Sequence, residues 1–332
     1  MACSDWAPPG LDLIPLADIR PGDDCFRITE ARDRSELRES IARVGLLNPV
    51  LVRCGNPATL LSGHRRAAAC AQLGWTHIPA RILSAETSDY ACACRAVGEN
   101  SLERPLTLLE TARALVLLDR CHPDDAAPPA DAAALGLPAA PVLCERLKGL
   151  VRLPAEVQAG IAEGAIAFPT ACELGMLDSE QATAVAELLR RLGAGLNKQR
   201  EVLQLVLEIA RRDGIPPREV AADPLLHAAM DAAGSDPNRV TQAVRRFLRR
   251  RRFPTIDAAE RNFERLRRDL SLGDGLRIEP PRDFEGTQFH LGFSFETLDE
   301  LGTLRDRLDG LLRDPALRAI VGGKGRGFGD PC

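Results

Sequence analysis

The sequence predicts three successive folds: an α+β N-terminal domain over residues 11–105, a mostly α-helical middle domain over 106–253 and a small α/β C-terminal module over 254–315, followed by a tail of 316–332. Changes of texture carry that prediction. From Leu11 to about Ser84 short apolar runs alternate with one helical pattern. From Leu106 to about Arg252 the pattern is almost continuously helical, with Pro- and Ala-rich breaks at 123–133 and 214–217. From Thr255 to Leu312 it is mixed again.

In the first domain, Leu37, Ile41 and Val44 recur at helical spacing, so a helix is expected from Asp33, a capping candidate, to the stop at Gly45. Asn48-Pro49 breaks the chain. Val50-Leu51-Val52 and Thr59-Leu60-Leu61 read as strands on either side of the Gly55-Asn56-Pro57 turn, Arg65–Leu73 as a second helix and Ile78–Leu83 as another strand. Gly63 then stands where a strand ends and a helix begins. A helix N-terminus presents unpaired N–H groups and a partial positive charge, and glycine lets an anion approach the backbone. Arg65 and Arg66 add cationic donors suited to phosphate oxygens. On these residues alone, an anion site and a solvated basic helix start both remain open.

Composition narrows the classes of function. The chain has 332 residues, enough for two or three domains, with 45% hydrophobic and 27% charged residues, an ordinary soluble balance. Its longest apolar runs, such as Val202–Leu207, fall far short of the roughly 18 residues of a membrane span. The N-terminus has neither a basic nor an apolar signal-peptide region, so a cytoplasmic protein without membrane association is expected. Of ten cysteines only Cys92 and Cys94 are close, and C-x-C without a second pair or a nearby histidine makes a poor metal site; reduced structural thiols are expected. A net charge of −4 argues against a chain that coats nucleic acid throughout, but not against a local basic patch.

The order of motifs supplies a resemblance. Leu37-x3-Ile41 leads to Gly45-Leu46-Leu47-Asn48-Pro49-Val50-Leu51-Val52-Arg53, then Leu61-Ser62-Gly63-His64-Arg65-Arg66-Ala67-Ala68-Ala69, Ile78-Pro79-Ala80-Arg81-Ile82, Gly98-Glu99-Asn100 and Leu106-Thr107-Leu108-Leu109-Glu110. This succession resembles the N-terminal domain of the ParB/RepB partition-protein superfamily, related to the sulfiredoxin fold, over about a third of the chain. The resemblance implies a CTP-binding domain. The box at Ser62, Gly63, His64, Arg65 and Arg66 would cradle the triphosphate, and Glu99 and Asn100 on the following helix would hold phosphate and Mg²⁺, a cation that takes few protein oxygens beside phosphate.

Two departures bear on catalysis. His64 replaces the family's usual Glu, and Glu103 stands where the family has an Arg, with Arg104 one residue later. An acidic group there repels phosphate, which puts CTP hydrolysis in doubt. Glu99 and Arg104 are the catalytic candidates, Arg104 as a substitute for the displaced arginine. His64 also occupies the place of the sulfiredoxin cysteine, which argues against a reductase.

In the middle domain, 132–153 resembles the ParB helix-turn-helix in degenerate form, with Gly136 at the turn and Pro141–Leu150 as the recognition helix. The Pro138-Ala139-Ala140-Pro141 start offers little for direct base readout, whereas Arg146 and Lys148 suit phosphate; DNA contact and retention for packing alone are both open. Arg245, Arg246, Arg249, Arg250, Arg251 and Arg252 form a more pronounced basic element, opposite a face of Val244, Phe247 and Leu248. They read either as a DNA-phosphate surface or as a solvated face pairing with acids such as Glu260 and Glu264. Asn197–Glu201 is expected to cap a long helix running to Arg212.

In the last module, Ile256–Leu270 and Thr297–Leu312 read as helices, the second with a Thr297/Glu300 capping box and a stripe of Leu298, Leu301, Leu304, Leu308 and Leu311. Leu276–Ile278 and Phe289–Phe295 read as strands, with Phe289, Leu291, Phe293 and Phe295 on one side needing a cover. A homodimer or intramolecular docking would provide one; a loose likeness to the ParB dimerisation module favours the homodimer.

The leading expectation is a DNA-associated, nucleotide-gated clamp serving plasmid or chromosome partition or regulation of a locus, with a partition ATPase as a further partner. A phosphotransferase using the same phosphate cradle and a non-catalytic scaffold are its rivals.

Overall fold

The computed structural model describes residues 10–20, 22, 24–30, 35–123, 132–270, 272, 276–281, 284 and 288–322. The chain divides into two compact units, 1–199 and 200–332.

The first unit begins with a mixed sheet and its helices: β1 (Gly10–Pro15), α1 (Ser35–Val44), β2 (Val50–Arg53), β3 (Thr59–Ser62), α2 (His64–Gln72) and β4 (His77–Leu83). The strand order is β1-β4-β2-β3, with β2 and β4 parallel in register Val50 to Ala80 and both outer pairs antiparallel. Element types follow the sequence reading; Asp33, the expected start of α1, lies outside the described residues. β2 and β3 are buried almost throughout because they lie at the packed end of the sheet, where Val50, Val52 and Leu60 meet Ile41 of α1 and Ala67, Ala69 and Cys70 of α2. Small side chains on α2 let its backbone lie close to the strands.

α3 (Asp89–Ser101) starts at an N-cap, Ser88, whose hydroxyl accepts the Ala91 N–H at 3.2 Å. Its inner face is small as well, with Cys92, Ala93, Ala96 and Val97 all fully buried and Cys94 nearly so. Burial pushes the Cys92 thiol up from its ordinary value. Among the described residues no group of three or more metal-ligating side chains occurs.

α4 (Leu108–Cys121) opens with a capping box: Glu110 N–H donates to Thr107 Oγ1 at 3.2 Å, and Thr107 N–H donates to Glu110 Oε2 at 3.0 Å. The helix also fixes the segment between β1 and α1. Arg113 donates to Ile28 O and pairs with Glu30 at 3.7 Å, while Arg120 donates to Cys25 O. Phe26 and Ile28 are thereby buried.

Gly136, at φ +72°, precedes α5 (Pro141–Gly149), and a short 3-10 turn leads to α6 (Ala155–Ala162), α7 (Phe168–Leu174) and α8 (Ser179–Leu192). α9 (Leu196–Asp213) starts one residue before the expected cap. Gln199 turns inward rather than capping: its amide nitrogen donates to Ala165 O and Ala194 O, and its oxygen accepts the Ala167 N–H. That full set of bonds explains how a polar side chain can be 2% exposed.

In the second unit α10 (Pro217–Ala221), α11 (Pro224–Ala232), α12 (Pro237–Arg252) and α13 (Pro254–Asp269) each begin with proline, whose missing N–H is one a helix start cannot satisfy anyway. β5 (Leu276–Glu279) and β6 (His290–Phe293) pair antiparallel, Leu276 opposite Phe293, and α14 (Leu298–Leu311) and α15 (Pro315–Gly322) follow. Leu276, Ile278, Phe263, Leu304, Leu311 and Ile320 form their core.

Three expectations change here. Residues expected as tail include α15, which contributes Ile320, 2% exposed, to that core. Glu300 N–H does donate to Thr297 Oγ1, but the Glu300 carboxylate accepts the Glu296 N–H, one residue before the expected partner. β6 stops at Phe293, and the row of four splits: Phe289 stacks on Phe263 at 6.2 Å, whereas Leu291, Phe293 and Phe295 remain 38–49% exposed.

Glu110 is 1% exposed and holds both the capping box and the exposed Arg104 guanidinium, so Glu110→Ala removes a cap and an ion pair and leaves a cavity. Urea denaturation followed by far-UV circular dichroism should find the variant about 2–4 kcal/mol less stable.

Candidate functional site

The junction of β3 and α2 is built around Gly63. β3 delivers Ser62, 3% exposed, and the chain then turns through Gly63 at φ +92° and ψ 19° into α2, with no side chain capping the helix. A Cβ at this position would lie 2.8 Å from Val50 Cγ1, and a left-handed φ adds strain for any other residue, so glycine is required twice over. The first bond of the α2 ladder is donated by Ala67 to Gly63 O. The N–H groups of His64, Arg65 and Arg66 therefore precede the ladder and crown the positive end of the helix dipole, as an anion cradle requires.

Two backbone carbonyls from the start of β2 and a carboxylate from α3 meet at Arg66 beside the junction. Arg66 Nη1 donates to Asn48 O at 3.1 Å and Pro49 O at 2.7 Å, and its Nη2 donates to Glu99 Oε1 at 2.9 Å. The start of β2, the first turn of α2 and the end of α3 are thus tied through one guanidinium. Both charged side chains are 17% exposed, so their attraction is weakly screened. His64 and Arg65 are half-buried on the same turn. Asn100 Nδ2 donates to Ala96 O at 2.8 Å, which leaves its amide oxygen as the acceptor available beside Glu99.

The donor set fits a hard cation. Glu99 Oε2 is buried and accepts no hydrogen bond among the described residues, and with the Asn100 amide oxygen it offers the kind of oxygen ligation Mg²⁺ takes beside phosphate.

The other catalytic candidate is engaged elsewhere. α3 ends at Ser101, so Glu103 and Arg104 lie in the turn leading to α4. Arg104 makes a two-pronged contact with Glu110, 2.7 Å on each side, and this hydrogen bonding raises its pKa further above the usual arginine value. The Thr107-x-x-Glu110 spacing is a capping-box signal that the sequence reading passed over, and the hold of Glu110 on Arg104 carries no sequence pattern at all.

The DNA-binding candidates are mostly occupied by intramolecular contacts. Arg146 lies over the Phe168 ring at 5.1 Å, and Lys148 pairs with Asp119 of α4 and with Glu145. On α12, Arg245 and Arg249 both clasp Glu201, at 2.7 and 2.9 Å. Arg252 pairs with Glu208, Arg251 with Asp213 and Asp223, and Arg250 with Asp257. Arg246 is exposed. The expected partners Glu260 and Glu264 are replaced mainly by acids of α9, which lies 30–50 residues earlier and beyond the reach of any local pattern. Hydrogen bonds from Arg212, and then Arg251, hold the Asp213 carboxyl below its ordinary value.

Glu201 holds two of the arginines at once. Glu201→Gln should cost about 0.5–1.5 kcal/mol at low salt, and the difference from wild type should shrink as salt screens the pairs; thermal melts at two ionic strengths would measure it.

Comparison with known proteins agrees with this geometry. The family model for the ParB N-terminal domain matches residues 10–101, the segment that contains the sheet, the Gly63 junction and all of α3. A probable plasmid-partitioning protein ParB of Thermus thermophilus is 30% identical over 221 residues, covering 56% of this chain and 72% of the relative. The chromosome-partitioning protein Spo0J of the same organism is 30% identical over 228 residues, covering 64% and 82%. Among solved structures, the C-terminally truncated ParB of Caulobacter crescentus matches in its complex with CTP-gamma-S, at 23% identity, 54% and 98% coverage and a TM-score of 0.25. It matches again in its complex with the centromeric parS site, at 20% identity, 58% and 98% coverage and a TM-score of 0.34. With the N-terminal family model and two partition proteins matched over most of their length, the chain belongs to the ParB partition-protein family.

Proposed function

We propose that this protein is a nucleotide-gated clamp that associates with DNA in plasmid or chromosome partition, with CTP as its nucleotide. The uncapped, left-handed Gly63 junction carries the reading: three N–H groups and the Arg65 and Arg66 side chains are gathered at a helix N-terminus, with Glu99 of α3 tied to Arg66 and Asn100 next to it in the chain. The backbone would bind phosphate oxygens at Gly63 and His64, and the guanidinium groups would neutralise the triphosphate. When bound, Mg²⁺ would sit with Glu99 and Asn100 and offset phosphate charge. The family resemblance supplies the base, cytosine. Binding is the activity proposed, since the site has Glu103 where the family has an arginine and Arg104 is committed to Glu110.

Family membership supports DNA as the larger partner. On α12, Arg246 and the half-exposed Arg249 and Arg250 offer guanidinium groups to a phosphate backbone, and Arg249 and Arg250 would exchange carboxylate for phosphate on contact. Homodimerisation is proposed for the C-terminal module. An apolar groove of 460 Å³ lined by Leu276, Phe293, Leu301, Leu304 and Leu308 opens there, beside exposed Leu291 and Phe295. A partition ATPase is the further protein partner that the family suggests. No helix among the described residues is long and apolar enough to cross a membrane.

Calorimetric titration of CTP, ATP and GTP with Mg²⁺ tests the proposal. Wild type is expected to bind CTP, and Arg65→Ala to weaken it by about tenfold or more, the loss of one charge-assisted contact. Absence of binding by all three nucleotides would refute the nucleotide reading.

A further inference from the structure

Resting on the nucleotide reading above, the geometry points to a second duty for Glu99. We infer that Glu99 is a positioning residue which, through Oε1, holds the Arg66 guanidinium against the phosphate cradle, so that triphosphate affinity depends on Glu99 even where no divalent cation is bound.

A guanidinium carries five N–H donors. Three of those on Arg66 are committed: two on Nη1 to Asn48 O and Pro49 O, and one on Nη2 to Glu99 Oε1. The Nε–H and the second Nη2–H remain. Nε stands beside the glycine junction, since a Cβ built on Gly63 would lie 3.2 Å from it. The plane of the group is therefore set on one edge by two carbonyls and at its tip by a carboxylate, leaving the Nε side toward the backbone that would meet phosphate.

A free arginine side chain loses much rotamer entropy on binding, whereas one already held loses little more. The two carbonyls alone leave the tip without a fixed partner. Glu99 comes from α3, 33 residues further along the chain, so the contact also keeps α3 registered on α2. The opposite oxygen, Oε2, remains buried and without a hydrogen bond among the described residues, so positioning Arg66 does not exhaust the carboxylate.

The alternative role predicts the opposite sign. A Glu99 that served only to bind a cation would, once the cation was chelated, present a bare negative charge to a triphosphate, and its removal would tighten binding. A positioning Glu99 makes its removal weaken binding. The discriminating experiment is CTP titration by calorimetry in EDTA, with folding of each variant followed by circular dichroism and thermal melting. Glu99→Ala is expected to bind CTP about tenfold more weakly than wild type. Glu99→Asp, which keeps the charge and perturbs folding least but shortens the reach, is expected to show a loss of the same order. Glu99→Gln, which keeps an acceptor for Arg66, is expected to restore binding to within about threefold. Ala or Asp variants that stay folded and bind as tightly as wild type, or more tightly, would overturn the inference while leaving the nucleotide reading intact. If Ala fails to fold, Asp and Gln decide it. A wild type that binds CTP with Mg²⁺ but not in EDTA would overturn the inference alone, and one that binds no CTP with or without Mg²⁺ would overturn both.

Discussion

The left-handed turn at Gly63 is the constraint around which the N-terminal half is organised. Because β3 ends in the packed part of the sheet, the chain must reverse directly into α2 against Val50, and a Cβ at the turn would sit 2.8 Å from that side chain. With glycine at the N-cap, no side chain caps α2, and its first N–H groups precede the helical ladder. Val50 follows Pro49, whose carbonyl is held by Arg66, and Arg66 is held by Glu99. Packing, backbone polarity and charge thus converge within a few residues, and the small faces of α2 and α3 allow the helices to lie close enough for that contact.

Charge in this protein is a matter of availability rather than number. The six arginines near the end of α12 look from the sequence like an open cationic surface. In the folded unit five of them are met by carboxylates on α9 and α13 and by Asp223 just before α11. Pairs of this exposure contribute little individually, but five on one helix orient it as a set. DNA would therefore compete with carboxylates already in place, a contest more sensitive to salt and to local geometry than to net charge.

Much of the fold was legible because the signals were local. Leu37, Ile41 and Val44 gave α1 its period, Asn48-Pro49 and Gly63 marked the ends of segments, and the apolar runs between them matched β2, β3 and β4. α15 escaped notice since its eight residues are too few for a period and sit beyond the apparent end of the module. The residue types of the site were legible too, but their division of labour was not. Arg65 and Arg66 are equivalent as letters, whereas the fold brings two carbonyls from 17 and 18 residues upstream and a carboxylate from 33 residues downstream to Arg66. The partners of Arg104, Lys148 and the α12 arginines were hidden for the same reason: ion pairs between helices carry no sequence period.

In the proposed function, phosphate is held by the backbone at the start of α2, with α3 beside it. Amide hydrogen exchange with and without CTP addresses it directly, since the N–H groups of His64, Arg65 and Arg66 precede the first bond of the helical ladder, where an engaged anion would protect them. CTP is expected to slow exchange most strongly at residues 63–66, with a smaller effect around Glu99 and Asn100. Unchanged exchange at 63–66, with CTP bound and protection appearing elsewhere, would contradict it.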